Sequence, residues 1–169
     1  MNRRRHLALS TAWLAGAAII PSLLTACAGR DIAPEIDYTL LDGRIENLSE
    51  RRGQVTLVQF WATTCSVCRR EMPHTVALQA HFRGQGFGVL AVAMRYDPPV
   101  FVDDYARAQG LTFDVAIDNT GAIARAFGEV ELTPTFCLID RQGRIVQRHV
   151  GVPDFSALQQ TIAGLLAQT

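Results

Sequence analysis

The run Val55-Thr56-Leu57-Val58-Gln59-Phe60-Trp61, followed after three residues by Cys65-Ser66-Val67-Cys68, constrains this chain more than any other feature. Seven residues rich in β-branched and aromatic side chains, mostly apolar on both faces, describe a strand covered above and below. Such a strand needs a layer on each side, which points to an α/β sandwich. A helix read over Arg69–Phe82 follows at once, with Pro73 inside it expected to kink it. The cysteines therefore sit where a strand ends and a helix begins. Unpaired N–H groups at a helix start favour a thiolate over a thiol. A spacing of three places both sulfurs on one turn, close enough to bond. Cys65, nearer the start, is expected to be the more exposed and to attack; Cys68 would then resolve the mixed disulfide.

The rest of the chain fills in the sandwich. Tyr38–Leu48 alternates around Asp42-Gly43, a two-residue hairpin signal. Phe87–Met94 reads as a second buried strand, Val100–Ala108 as a helix ended by Gly110, and Phe113–Ile117 as a short strand. Thr120–Phe127 reads as a short helix stopped by Gly128, and Pro134–Ile139 with Arg144–Val150 as a strand pair about a turn. A closing helix over Pro153–Ala167 puts Phe155, Leu158, Ile162 and Leu165 or Leu166 on its inner face. The order β-α-β-α-β-α-β-β-α gives a mostly parallel sheet with an antiparallel portion at its end.

Other readings of the cysteine pair are weaker. A structural zinc site wants four ligands, usually from two such pairs. Here Cys137 stands alone in a strand, and His74, six residues past Cys68, points elsewhere on the helix; no metal is expected. A purely structural disulfide closing so small a loop stabilises little. Redox work is the better reading.

The amino end carries a separate message. Arg3-Arg4-Arg5 precedes an apolar stretch, Leu7–Leu24, and no acid appears before Asp31. This is the layout of an export signal; the stretch is only marginally long enough to span a membrane and is interrupted by Pro21 and small residues. Leu24-Thr25-Ala26-Cys27 resembles the bacterial lipobox, which predicts cleavage before Cys27 and a lipid anchor on its sulfur. Asn2–Leu7 is loosely similar to a twin-arginine motif, departing from it at His6 and Ala8. The expected organisation is a signal peptide over 1–26, a tether over 27–36 and one domain over 37–169. Loss of the signal removes Arg3, Arg4 and Arg5 and none of the 16 acids, leaving a mildly acidic domain. With no basic cluster, it is not expected to bind nucleic acid.

From Phe60 through Pro73 the chain resembles the active-site segment of the TlpA/ResA/CcmG group of exported thioredoxin-like proteins. The likeness continues through Val89–Ala93, Phe113–Asp118 and Thr133-Pro134-Thr135-Phe136 to Asp140, and takes in Gly143 and Gly151. The resemblance implies a thioredoxin-like three-layer sandwich with a mixed central sheet, an N-terminal hairpin and a central insertion. It implies that Pro134 is cis and faces the cysteines, and that Thr133 pairs with a substrate strand, with Trp61 also at the substrate site. The chain departs from the group at Thr64, Ser66 and Val67, residues that tune thiol acidity, so reducing strength does not carry over.

Some members hold a buried acid after the second strand. Asp97 falls near that position and is a candidate for proton transfer, although Asp97-Pro98 also reads as an ordinary turn, the reading favoured here. Cys137 reads as a buried inert thiol.

The implied activity is thiol–disulfide exchange with protein substrates on the periplasmic side of a membrane. Reduction is the expected direction, as in cytochrome c maturation or copper-site assembly, with electrons from a membrane thiol relay. No cofactor is expected beyond the Cys65–Cys68 pair itself. Two rivals share the scaffold. A copper chaperone of the SCO type would use a CxxxC pair and a distant histidine, for which His149 is the late candidate. A thiol peroxidase would need a peroxidatic motif that is absent here.

Overall fold

The computed structural model describes residues 32–168. The expected signal peptide, Cys27 and the first half of the tether lie outside the described residues. Among the described residues, no helix is long and apolar enough to cross a membrane.

Two short strands, β1 (Asp37–Thr39) and β2 (Ile45–Asn47), pair antiparallel as an N-terminal hairpin, followed by a 3-10 turn over Leu48–Arg51. The loop between them is not the two-residue turn the sequence suggested. Leu40 and Arg44 still bond across it, so three residues, Leu41–Gly43, make the reversal. Gly43, at φ +86°, supplies the left-handed step that closes such a loop.

The main sheet has five strands: β3 (Val55–Trp61), β4 (Phe87–Ala93), β5 (Asp114–Ile117), β6 (Thr135–Ile139) and β7 (Ile145–Val150), in the order β5-β4-β3-β6-β7. β3, β4 and β5 run parallel; β6 is antiparallel to β3, and β7 to β6. β3 is thus central, and all seven of its residues are buried, as its two-sided apolar run requires.

Four helices cover the sheet: α1 (Ser66–His81), α2 (Pro99–Ala108), α3 (Ala122–Ala126) and α4 (Phe155–Leu166). Leu57, Val89, Phe136 and Leu138 on one face pack against Leu78 of α1, against Phe82 that caps it, and against Leu158 and Ile162 of α4. Towards one end of that face, Trp61, Ala91 and Ala93 meet Met72 of α1 and Val102 and Ala106 of α2. On the other face, Val58, Phe60, Leu90 and Val92 pack against Ile123 and Phe127 of α3 and against Tyr38 and Leu40 of the hairpin. Three layers result, with the hairpin completing the thinner side. Gly128, at φ +83°, ends α3 as anticipated.

Candidate redox site

The sheet register decides which loops meet. Trp61, the last residue of β3, pairs with Ala93, the last of β4, so the loops leaving both strands emerge side by side. β6 runs the opposite way and begins with Thr135 opposite Phe60, which brings Thr133-Pro134 to the same edge. Three segments distant in sequence thus converge at the carboxyl ends of the parallel strands, where open α/β sheets place their sites.

Cys65 is the residue on which α1 is hung. The helix starts at Ser66, three residues before the span read from the sequence, because the Cys65 sulfur accepts the Cys68 N–H at 3.1 Å and so caps the helix. This N–H, with the helix dipole behind it, stabilises negative charge on that sulfur once the bond is opened. Cys65 and Cys68 are joined as a disulfide, with Cα atoms 5.2 Å apart. Cys65 is partly exposed, whereas Cys68 is 0% exposed. The Thr133 carbonyl oxygen lies 3.7 Å from the Cys65 sulfur. The Thr133–Pro134 peptide is cis, and Pro134 is buried.

Asp97 sits in a turn and is also a buried acid. Its N–H bonds to the Met94 carbonyl in a turn, yet its carboxylate is not left in solvent. The residue is 2% exposed, and its two oxygens accept the Thr63 N–H and the Thr63 hydroxyl, each at 2.5 Å. The favoured reading as a plain turn residue is therefore corrected: the acid is folded against the loop that carries Cys65. Its neighbour Tyr96 is exposed, with its hydroxyl 3.5 Å from Thr133 Oγ1.

Trp61 does not face a substrate. It is 0% exposed, clustered with Cys68 and Met72, and its ring meets that of Tyr105 at 5.1 Å. The expectation of direct substrate contact is corrected, because the last residue of a central strand with its side chain turned under α1 and α2 has no route to solvent. Trp61 instead forms the floor beneath the pair.

Two further residues escaped sequence reasoning. Pro73 has no N–H for the Arg69 carbonyl one turn earlier. The Tyr105 hydroxyl of α2 donates to that carbonyl at 3.4 Å and ties the first turn of α1 down. A proline four residues after the helix's exposed turn was the available signal. Glu71, one turn past Cys68, is a buried carboxylate paired with Arg70 at 3.0 Å and 3.8 Å from His74 Nε2.

Elsewhere, Cys137 lies on the opposite sheet face among Val58 and Phe60, and burial pushes its thiol up to about 11. His149 has its Nε2 2.9 Å from the Val152 carbonyl oxygen. Among the described residues, no group of three or more His, Cys, Asp or Glu side chains is placed to hold a metal ion.

Known proteins agree with this geometry. The family model described as Redoxin matches residues 28–162. The thiol-disulfide oxidoreductase ResA of Geobacillus thermodenitrificans is 36% identical over 121 residues, 72% of this chain and 68% of the relative. ResA of Geobacillus kaustophilus is 37% identical over 123 residues, 73% of this chain and 70% of its own. The crystal structure of a thiol:disulfide interchange protein of the thioredoxin family from Chlorobium tepidum superposes with a TM-score of 0.76 at 26% identity, covering 84% of this chain and 100% of that one. The chain belongs to the redoxin family, within its TlpA/ResA/CcmG-like branch of thiol–disulfide oxidoreductases.

Proposed function

We propose that this protein is exported, held on the periplasmic side of a membrane by lipid on Cys27, and reduces disulfides in protein substrates. The observation that carries the reading is the asymmetry of the pair: one sulfur reachable from solvent at a helix start, the other without exposed surface. In the reduced protein the Cys65 thiolate attacks a cystine sulfur of the partner. The partner's S–S bond breaks, its leaving thiolate takes up a proton, and a mixed disulfide joins Cys65 to the partner. Cys68 then loses its proton and attacks the Cys65 sulfur, releasing the partner's second thiolate, which is protonated in turn. Two electrons have moved: Cys65 and Cys68 are now a disulfide and the partner is a dithiol. The pair is its own redox group, and a membrane thiol relay restores the dithiol.

Thr133, beside Cys65 and just ahead of β6, is suited to pair with the partner's backbone as an added strand, with Pro134 behind it. Asp97 serves proton transfer through its contact with Thr63 on the redox loop. Cytochrome c maturation or copper-site assembly is the substrate class that the family resemblance favours.

The test is trapping. Cys68→Ser is expected to accumulate a mixed disulfide with a cystine-bearing protein such as insulin, while Cys65→Ser accumulates none. The reverse result would overturn the assigned roles. An equilibrium potential near −120 mV, that of strong oxidants, would overturn the reducing direction.

A further inference from the structure

Residues 32–36, the second half of the expected tether, are laid against the domain. Ile32 bridges to Arg144, and the Ala33 N–H bonds to the Gly143 carbonyl at 2.8 Å. Glu35 pairs with Arg52 at 2.6 Å, and the Ile36 carbonyl accepts the Leu48 N–H at 3.0 Å. Ala33 is buried in the core cluster that also holds Leu48 and Ile139. Backbone bonds near both ends, an ion pair and a buried side chain make this segment a strap rather than a free linker.

The sheet register fixes where the strap sits. Thr135, the first residue of β6, lies opposite Phe60, and Ile139, the last, lies opposite Thr56. The turn Asp140–Gly143 that receives the strap therefore lies beyond the amino end of β3, where the Gly53 N–H bonds to the Arg141 carbonyl at 2.8 Å. Cys65 lies beyond the carboxyl end of the same strand. The seven residues of β3, at about 3.3 Å each, put about 20 Å between strap and redox pair.

We propose that the strap turns the redox pair away from the membrane, so that its electron donor is a protein dithiol on a domain standing about 20 Å or more above the bilayer, not a thiol at the lipid surface. The inference rests on the lipid anchor at Cys27 proposed above and narrows the kind of donor. From Cys27 to Ile32 the chain takes five steps, which reach about 17–18 Å when fully extended. Laying Cys65 on the bilayer would require the linker to run round the outside of the domain for more than that. The exchange itself is balanced within the two proteins. A donor thiolate attacks the Cys65 sulfur, the Cys65–Cys68 bond breaks, and Cys68 leaves as a thiolate and takes up a proton. The donor's second thiol loses its proton and attacks the mixed disulfide, which leaves the donor oxidised and frees Cys65 as a thiolate.

The experiment places the mature, lipid-bearing, oxidised protein on the outside of phosphatidylcholine vesicles, dilute enough that exchange between vesicles is negligible. Reduction of the pair is followed by alkylating the freed thiols and weighing the protein. Two donors are compared: a soluble dithiol peptide, and a dihydrolipoyl group attached to lipid headgroups in the same vesicles. A flexible Gly/Ser insertion of about 20 residues between Asp31 and Ile32 gives the linker a span of roughly 25–30 Å, enough to let the domain turn over. The insertion should raise the headgroup-dithiol rate by about tenfold or more and leave the soluble-peptide rate within about twofold, which also shows that the variant is folded. Headgroup rates within about twofold of each other with and without the insertion, whether both fast or both slow, would overturn this inference alone. Protein that fails to float with the vesicles would overturn the lipid-anchor reading and this inference with it, and a pair that neither donor reduces would overturn the redox reading itself.

Discussion

Removing the Asp97 carboxylate should cost more stability than any surface change near the site. Both of its oxygens are occupied by Thr63, one by the backbone N–H and one by the hydroxyl, in a residue 2% exposed. Hydrogen bonds to a charged acceptor contribute about 1.5–3 kcal/mol each. Asp97→Ala removes two of them and strands two part-buried donors, so the expected cost is about 3–6 kcal/mol, the sum of the two bonds. Thr63→Val keeps the backbone bond and loses the hydroxyl, for about 2 kcal/mol. Asp97→Asn keeps one acceptor oxygen and turns an NH2 toward the other donor, again for about 2 kcal/mol.

The assay is equilibrium urea unfolding of the oxidised protein, followed by circular dichroism. At a slope of about 2 kcal/mol per molar urea, Asp97→Ala should lower the midpoint by roughly 2 M. The double variant Thr63→Val/Asp97→Asn should fall short of the summed single effects by about 1 kcal/mol, because both changes remove the same bond. A cost below about 1 kcal/mol for Asp97→Ala, or additive single effects, would refute the claim that this acid holds the redox loop.

Three other outcomes follow from the geometry. Burial pushes the Tyr38 phenol up to about 12; the native state keeps a proton that the unfolded chain releases near pH 10, so stability is intact below about pH 10 and falls by about 1.4 kcal/mol per pH unit toward 12. Tyr38→Phe should flatten that slope in urea midpoints measured across the interval, and an unchanged slope would exclude Tyr38 as its cause. Cys137, buried and pushed up to about 11, should stay unalkylated by iodoacetamide at pH 8 in the reduced native protein while Cys65 is labelled, and should react once the chain is unfolded in urea. Peptide mass spectrometry that found Cys137 labelled as fast as Cys65 would contradict this. Tyr105→Phe should cost about 0.5–1 kcal/mol through the lost bond to the Arg69 carbonyl, and less in a Pro73→Ala background, where a backbone N–H can replace it; equal costs in both backgrounds would break the link.

What the sequence shows plainly is what a single segment decides. The runs at Val55–Trp61 and Phe87–Ala93 read as two-sided strands because each lies between two hydrogen-bonded neighbours with helices or the hairpin against its faces. Local rules mislead where a different atom does the expected job. The first turn of α1 carries no Ser, Thr, Asp or Asn at its cap; a sulfur accepts the N–H instead, so the helix begins earlier than residue preferences suggest. Asp42-Gly43 marks a reversal correctly, but two- and three-residue loops can both end in this dipeptide, and the pairing of Leu40 with Arg44 selects the longer one.

The site divides along the same line. Residues 61–68 are contiguous, so the strand end, the cysteines and the helix start are legible together. Thr63 and Asp97 are 34 residues apart, Arg69 and Tyr105 36 apart, and neither pair leaves a local mark. The Asp97-Pro98 cue told the truth about the backbone, which does turn there, and nothing about the carboxylate. The missing information is the parallel register. Once Trp61 is opposite Ala93, Thr63 and Asp97 leave neighbouring strand ends by two and four residues and come within reach of each other. An acid a few residues past a strand beside a redox strand therefore carries more meaning than one in an isolated turn. Solvent would leave its carboxylate free, whereas here the adjoining loop offers two donors and closes over it.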